Sequence, residues 1–454
     1  MSCARRYLVV FLGFCGLLVS IGYRSVFAMV MVHVIKSNNT NEKLAVFPHC
    51  TTNGTSRDLS LDWSSELSQL FNTGYFVGSF FTQVPGGILA VRYSAKRICG
   101  LTILISSIFM IVLPFAIQFH EILVMAIRIT QGVVEGCSVP ALNGVISAWA
   151  PKTEKTRMIT VAYAGAYISP AVAMFISGVT ACYVSWHSVL FIYGGLGVIW
   201  SLIWLFCIYD TPSDHPGLSN RERSLFDREG SNVRAGNRQI AANIPWRQIL
   251  TSLPMSAVIA GSFCRNWIFS LLITELPKYF QDSYGLPIAE IGWIAALPDV
   301  FMTVVVILAG ALIEKLIKSQ KITTTFGRKF SECFGYQVNP LDLAPQYASI
   351  LTGLSRLGSI GAILSTSIAA YISGHSPTIE SWHKIFLIAG AVHMGGVVYY
   401  GIFASGEKQS WAETRERQPL LHAAAEDDTQ DLFTQSVMLD EESTEKWIFV
   451  TMDT

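Results

Sequence analysis

Charge is scarce in this sequence. Lys, Arg, Asp and Glu make up 14% of its 454 residues, where a soluble domain is nearer a quarter charged. That deficit excludes a disordered chain and argues against a soluble multidomain enzyme. The 32 basic and 32 acidic residues cancel, so the basic footprint of a nucleic-acid binder is missing and no nucleic-acid partner is expected. The nine cysteines are scattered without metal-ligand spacing. No nucleophile triad and no phosphate-binding glycine loop can be read. An enzyme, a metal centre and a cofactor are therefore not expected.

What is there is long apolar runs. The stretches 98–118, 158–181, 188–208 and 385–404 carry no Asp, Glu, Lys or Arg. A helix needs about 20 mostly apolar residues to cross a bilayer. With isolated ionisable residues allowed, ten such spans are predicted: 7–33, 66–91, 98–118, 121–147, 157–181, 185–209, 251–276, 288–313, 346–374 and 382–405. The class is an all-α membrane protein, with the lipid bilayer as its first partner. The first span is longer than the apolar region of a signal peptide, so it is expected to be retained although 25–28 (Ser-Val-Phe-Ala) resembles a cleavage site.

Ten spans put both termini on one side. The loops on that side (92–97, 150–157, 210–250 and 314–345) hold 17 Lys and Arg, against five on the other. The positive-inside rule makes that side the cytosol. The sequons at Asn38 and Asn53 both fall in the first non-cytosolic loop and are expected to be glycosylated. Cys50 and Cys182 face that compartment and are candidates for a disulfide. The tail has eight acidic residues between Glu426 and Glu445 and reads as disordered. The expected organisation is an N-terminal bundle 1–209, an inter-half loop 210–250, a shorter C-terminal bundle 251–405 and a tail 406–454.

The loop after the second span runs Gly86-Gly87-Ile88-Leu89-Ala90-Val91-Arg92 and then Lys96-Arg97. The loop after the eighth runs Gly310-Ala311-Leu312-Ile313-Glu314-Lys315 and then Lys318. Such echoes occur in transporters built from two related halves, and any tight basic loop can also produce them. Further motifs are Gln83-Val84-Pro85-Gly86-Gly87, the run 128–136 (RITQGVVEG), Pro140, Trp149-Ala150-Pro151, Leu341-Asp342-Leu343-Ala344-Pro345 with Tyr347-Ala348, and the run 403–409 (FASGEKQ). In this order they resemble the anion–cation symporter branch of the major facilitator superfamily. That family holds the vesicular glutamate transporters, the sialic-acid carrier sialin and the sodium–phosphate carriers. The resemblance covers about residues 5–413 and implies the major facilitator fold.

The family has twelve helices, six per half; this chain has six and then four. The stretch 323–329 resembles the start of the family's ninth helix, and 335–342 the end of its tenth. Helix 9 and most of helix 10 are expected to be missing, a loss of two that keeps both termini on one side.

Charges inside spans are costly and usually face a partner or a watery cavity. The candidates are Arg24, Arg128, Glu135 and Arg265, and further Glu275, Asp299, Arg356 and His393. Arg128 and Glu135 are seven residues apart, about two helical turns, so they share a face. They either hold an anion and a titrating proton or form a static ion pair. Arginines on the first, fourth and seventh helices line the central cavity, by the resemblance. Arg24, Arg128 and Arg265 are thus expected to bind substrate, with Asn72 where glutamate transporters carry a histidine, and Glu135 to couple protons. Departures from the family pattern include Asn143 for a histidine and Gln131 for an acid of sialin. Glu275 beside Lys278 reads either as an exposed pair or as a functional acid, and His187 and His393 as structural histidines.

The expected function is secondary active transport of organic anions by alternating access, glutamate-like acids first, acidic sugars or phosphate second, with a proton, sodium or membrane potential as the drive. A truncated, non-transporting interaction partner is the contrasting expectation. Glu416, Leu420 and Leu421 fit the acidic dileucine signal [DE]-x-x-x-L-[LI] for clathrin adaptors. With the resemblance it implies a synaptic-vesicle or lysosomal membrane, the plasma membrane being the third address.

Overall fold

The structure, a computed structural model, describes residues 5–34, 63, 65–151, 155–228, 245–286, 288–332, 343–344, 348–375, 378–407 and 409. Asn38, Asn53, Cys50 and the dileucine residues Glu416, Leu420 and Leu421 lie outside the described residues. The described residues up to Gly406 form one compact unit.

Each predicted span is helical over its described residues. The first six are α1 (Arg5–Val34), α2 (Ser65–Arg92), α3 (Ala95–Phe119), the broken pair α4 (Glu121–Glu135) and α5 (Ser138–Trp149), α6 (Lys155–Tyr183) and α7 (Trp186–Cys207). Two short helices, α8 (Asn220–Arg228) and α9 (Trp246–Leu250), lead to α10 (Leu253–Ser270), a π-helical turn (Leu271–Glu275) and α11 (Leu276–Tyr284). Then come α12 (Ile288–Lys318), α13 (Thr324–Glu332), α14 (Ala348–Ser355), a 3-10 turn (Arg356–Ser359), α15 (Ile360–His375) and α16 (Ile379–Phe403). Nine helices among the described residues are long and apolar enough to cross a membrane. The tenth long helix is α2, which buries Gln69, Asn72, Thr73 and Gln83.

Local chemistry sets the breaks. Ser94 accepts from the Arg97 N–H, His120 Nδ1 from Ile122, Ser185 from Ser188 and Thr378 from Ser381, each satisfying an orphan donor at a helix start. Pro140 lies in the first turn of α5, where its missing N–H costs nothing. Pro277 follows the π turn, and the wider ring of that turn eases the clash a proline makes with the preceding carbonyls.

In the first six spans α1 packs on α6 and α7, α2 on α4, and α3 on α7. One apolar core gathers Phe27, Phe71, Trp186 and Tyr193; another gathers Leu142, Trp149, Trp200 and Trp204. The last four spans are sparser. There α10, α15 and α16 enclose Trp267 and Trp382. The two sets meet where α12 packs on α6 and where α14 and α15 pack on α2. The nine-residue α13 rises about 14 Å, too little to cross a bilayer.

Candidate substrate site

Tyr75 of α2 is the centre of the buried charge cluster. The Arg24 guanidinium of α1 lies 4.8 Å from its ring centroid, and that of Arg128 from α4 lies 4.7 Å from it. Arg24 also faces Phe76 at 5.4 Å, and Arg128 faces Phe27 at 4.1 Å. Two cations on one ring attract the ring's negative face and repel each other. Arg128 and Glu135 are 1% and 3% exposed, and Arg24 is half-buried.

Glu135 ends α4 and accepts from the Ser20 hydroxyl of α1. Arg128 Nη1 donates to Gln131 Oε1 at 2.8 Å, and Gln131 Nε2 to the Ser106 carbonyl at 3.4 Å. The expected shared face of Arg128 and Glu135 is present, but each takes another hydrogen-bond partner and no direct ion pair joins them. Glu135 instead has Arg24, Arg128 and the Tyr75 hydroxyl as electrostatic neighbours. Nε of Arg24, Nε of Arg128 and Oε2 of Glu135 make no hydrogen bond. Buried donors without partners are costly unless a ligand or water takes them.

Arg265 of α10 is half-buried, with its Nε without a hydrogen bond. Arg356, in the 3-10 turn, lies within electrostatic reach of Arg265, Arg24 and Tyr163. Four guanidiniums against one carboxylate make this space electropositive and suited to an anion. The sequence marks Arg356 as an intramembrane charge; its nearness to Arg24 and Arg265 is visible only once the helices are assembled. Tyr75 gives no sequence signal beyond being aromatic.

Asn72 is elsewhere. It lines a small cavity with Gln69, Ala28, Thr274, Glu275 and Lys278, one turn along α2 from Tyr75. Of the two readings of Glu275 and Lys278, the exposed pair is overturned: they are 1% and 7% exposed. Burial follows because the π turn and α11 fold under the start of α2 and the end of α15. Gln69 Nε2 donates to Glu275 Oε2 at 2.6 Å, and Lys278 Nζ to Ser373 Oγ at 3.0 Å. Asp299 of α12 is also buried, both oxygens without a hydrogen bond. Asn143 donates to the Tyr163 hydroxyl at 2.8 Å, and His187 pairs with Gln118 at 2.7 Å. Among the described residues no group of three or more His, Cys, Asp or Glu is placed to hold a metal.

An all-α bundle of long apolar helices in two packed sets, with ionisable side chains buried inside it, defines a polytopic membrane protein. The chain matches the Major Facilitator Superfamily over residues 10–328 and belongs to it. It is 34% identical to vesicular glutamate transporter 1 of Bos taurus, over 91% of this chain and 79% of that protein. It is 32% identical to vesicular glutamate transporter 2 of Homo sapiens, over 91% and 76%. In fold it is similar to a bacterial homologue of the human lysosomal transporter Spinster (TM-score 0.58, 14% identity, 88% of this chain and 97% of that one). It is equally similar to a D-xylose–proton symporter (0.58, 10%, 89% and 99%).

The match to the Bos taurus protein runs over 451 aligned positions yet takes in 91% of this chain, so roughly 40 positions have no counterpart here, the length of two bilayer spans. The superfamily match ends at Arg328, inside α13, next to the place where the sequence resemblance puts the missing helices.

Proposed function

We propose that this chain is a secondary active transporter of organic anions, glutamate-like acids first, working by alternating access. The observation that carries this reading is the pair Arg24 and Arg128, held from two helices on one tyrosine ring beside a single acid, Glu135. The substrate carboxylate takes the unpaired Nε donors of Arg24 and Arg128, and Arg265 with its neighbour Arg356 closes on it from the second half. Glu135 carries the coupling proton. Both termini face the cytosol, Asn38 and Asn53 carry glycans in the vesicle lumen or lysosome, and the dileucine motif Glu416, Leu420 and Leu421 engages clathrin adaptors. The similarity to vesicular glutamate transporters supports the choice of substrate and of a vesicle membrane.

The test is uptake of radiolabelled glutamate into proteoliposomes. Arg128→Ala is expected to lower uptake 30-fold or more, because removing one partner of a desolvated charge contact costs about 2–5 kcal/mol. Unchanged uptake by a folded Arg128→Ala protein contradicts the site assignment. The missing helix pair favours a second reading, a non-transporting partner of a longer form. Sequencing transcripts across codons 325–340 separates the two: an insert encoding two helices in most transcripts supports the second.

A further inference from the structure

The cavity beside the arginine cluster has the opposite polarity. Its walls include the Glu275 carboxylate, Gln69 and Asn72, all within 2% of full burial. Gln69 Oε1 and Asn72 Oδ1 are buried acceptors without a hydrogen-bond donor. The carboxylate accepts from Gln69 Nε2 and from Thr274 at 3.2 Å, which leaves acceptor capacity on its two oxygens. Lys278 is the one ammonium on this wall; one of its three N–H groups goes to Ser373 and its charge faces Glu275. Its electrostatic neighbours are Glu275, Asp282 and Glu66, so acids outnumber the lysine. Two orphan amide oxygens, a carboxylate with spare acceptor capacity and a surplus of acids make a receptor for N–H donors. The cavity is also close to the arginines: Asn72 is three residues from Tyr75, and the lining residue Ala28 is four from Arg24, a rise of about 5–6 Å. That is the reach of a short acidic side chain.

The geometry points to an ammonium subsite, in which Glu275, Asn72 and Gln69 receive the amino group of an anionic amino acid whose carboxylate lies on Arg24 and Arg128. This rests on the anion-transport reading and narrows it to acidic amino acids, against acidic sugars and inorganic phosphate. An ammonium brings three donors, enough for both orphan amide oxygens and the carboxylate. A dicarboxylate without the amine leaves those acceptors unpaired when it displaces water, and loses affinity accordingly.

The experiment measures binding of glutamate and of glutarate, the same dicarboxylate without the amine, to the purified full-length chain in nanodiscs. Glutamate is expected to bind on the order of tenfold or more tighter, the scale of one hydrogen bond to a charged group. Glu275→Gln and Asn72→Ala are each expected to bring the ratio toward one. Equal binding of the two anions by the wild-type chain overturns the subsite and leaves the anion reading standing. Binding of neither overturns the anion reading and the subsite with it. A wild-type preference that survives in folded Glu275→Gln and Asn72→Ala places amine recognition elsewhere. If Glu275→Gln fails to fold, as judged by its thermal midpoint, the smaller Asn72→Ala change and the wild-type ratio decide.

Discussion

Tyr75 shows how much one aromatic side chain can organise. By lying under both Arg24 and Arg128 it holds two like charges in one low-dielectric space, where each gains about 0.5–2 kcal/mol from the ring. Glu135 is the acid of that space, and Ser20 fixes it by one hydrogen bond. Glu135→Gln keeps shape and hydrogen bonding but cannot ionise. It is expected to flatten the pH profile of glutamate uptake or to abolish proton-driven uptake, measured in proteoliposomes with an imposed pH gradient. A profile identical to wild type hands the proton role to another group, Asp299 first. The arginines and Glu135 are legible in the sequence because a charge in an apolar run is conspicuous. Tyr75 and Gln69 are not, since aromatics and amides occur in many helices without a role. Spacing correctly puts Arg128 and Glu135 on one face, but cannot tell an ion pair from two side chains bonded to Gln131 and Ser20.

Helices α2 and α4 approach closely because each carries small residues one turn apart. Gly74 and Gly78 sit on α2, and Gly132 and Gly136 on or just past α4, each a G-x-x-x-G pair of the kind that lets membrane helices touch. A Cβ at Gly132 would meet the Tyr75 carbonyl, and one at Gly78 the Ile129 carbonyl. This contact positions Tyr75 against Arg128. Gly132→Leu is therefore expected to destabilise the protein by about 1–3 kcal/mol and to cut uptake. Gly195→Leu is the control, because nothing lies within 4 Å of a Cβ there. Thermal midpoints in detergent check both; equal midpoints contradict the packing account. Span positions are legible from hydropathy alone. The break at Gly136 and Cys137 and the π turn at 271–275 are not, because each lies inside an apolar run and changes backbone hydrogen bonds without changing composition.

At the scale of the molecule, the described residues form six long helical spans followed by four, and α12 belongs to the second set. It packs chiefly on α6 and exposes Leu297, Phe301, Val304 and Leu308 on its other side. Inserting the two family helices after Arg328 is expected to raise both thermal stability and glutamate uptake; an insertion that changes neither indicates that the four-helix set is self-sufficient. The dileucine motif is the proposed sorting signal. Leu420→Ala with Leu421→Ala is expected to move a tagged protein from vesicles or lysosomes to the plasma membrane, and an unchanged distribution excludes the motif as the sorting signal. The account turns on the two arginines that share Tyr75, and the most direct measurement is equilibrium binding of radiolabelled glutamate to the purified chain, wild type against the Arg24→Ala, Arg128→Ala double variant. Saturable binding by the wild type that is lost in a double variant of unchanged thermal midpoint is the predicted result. Equal affinity in the two proteins would contradict it.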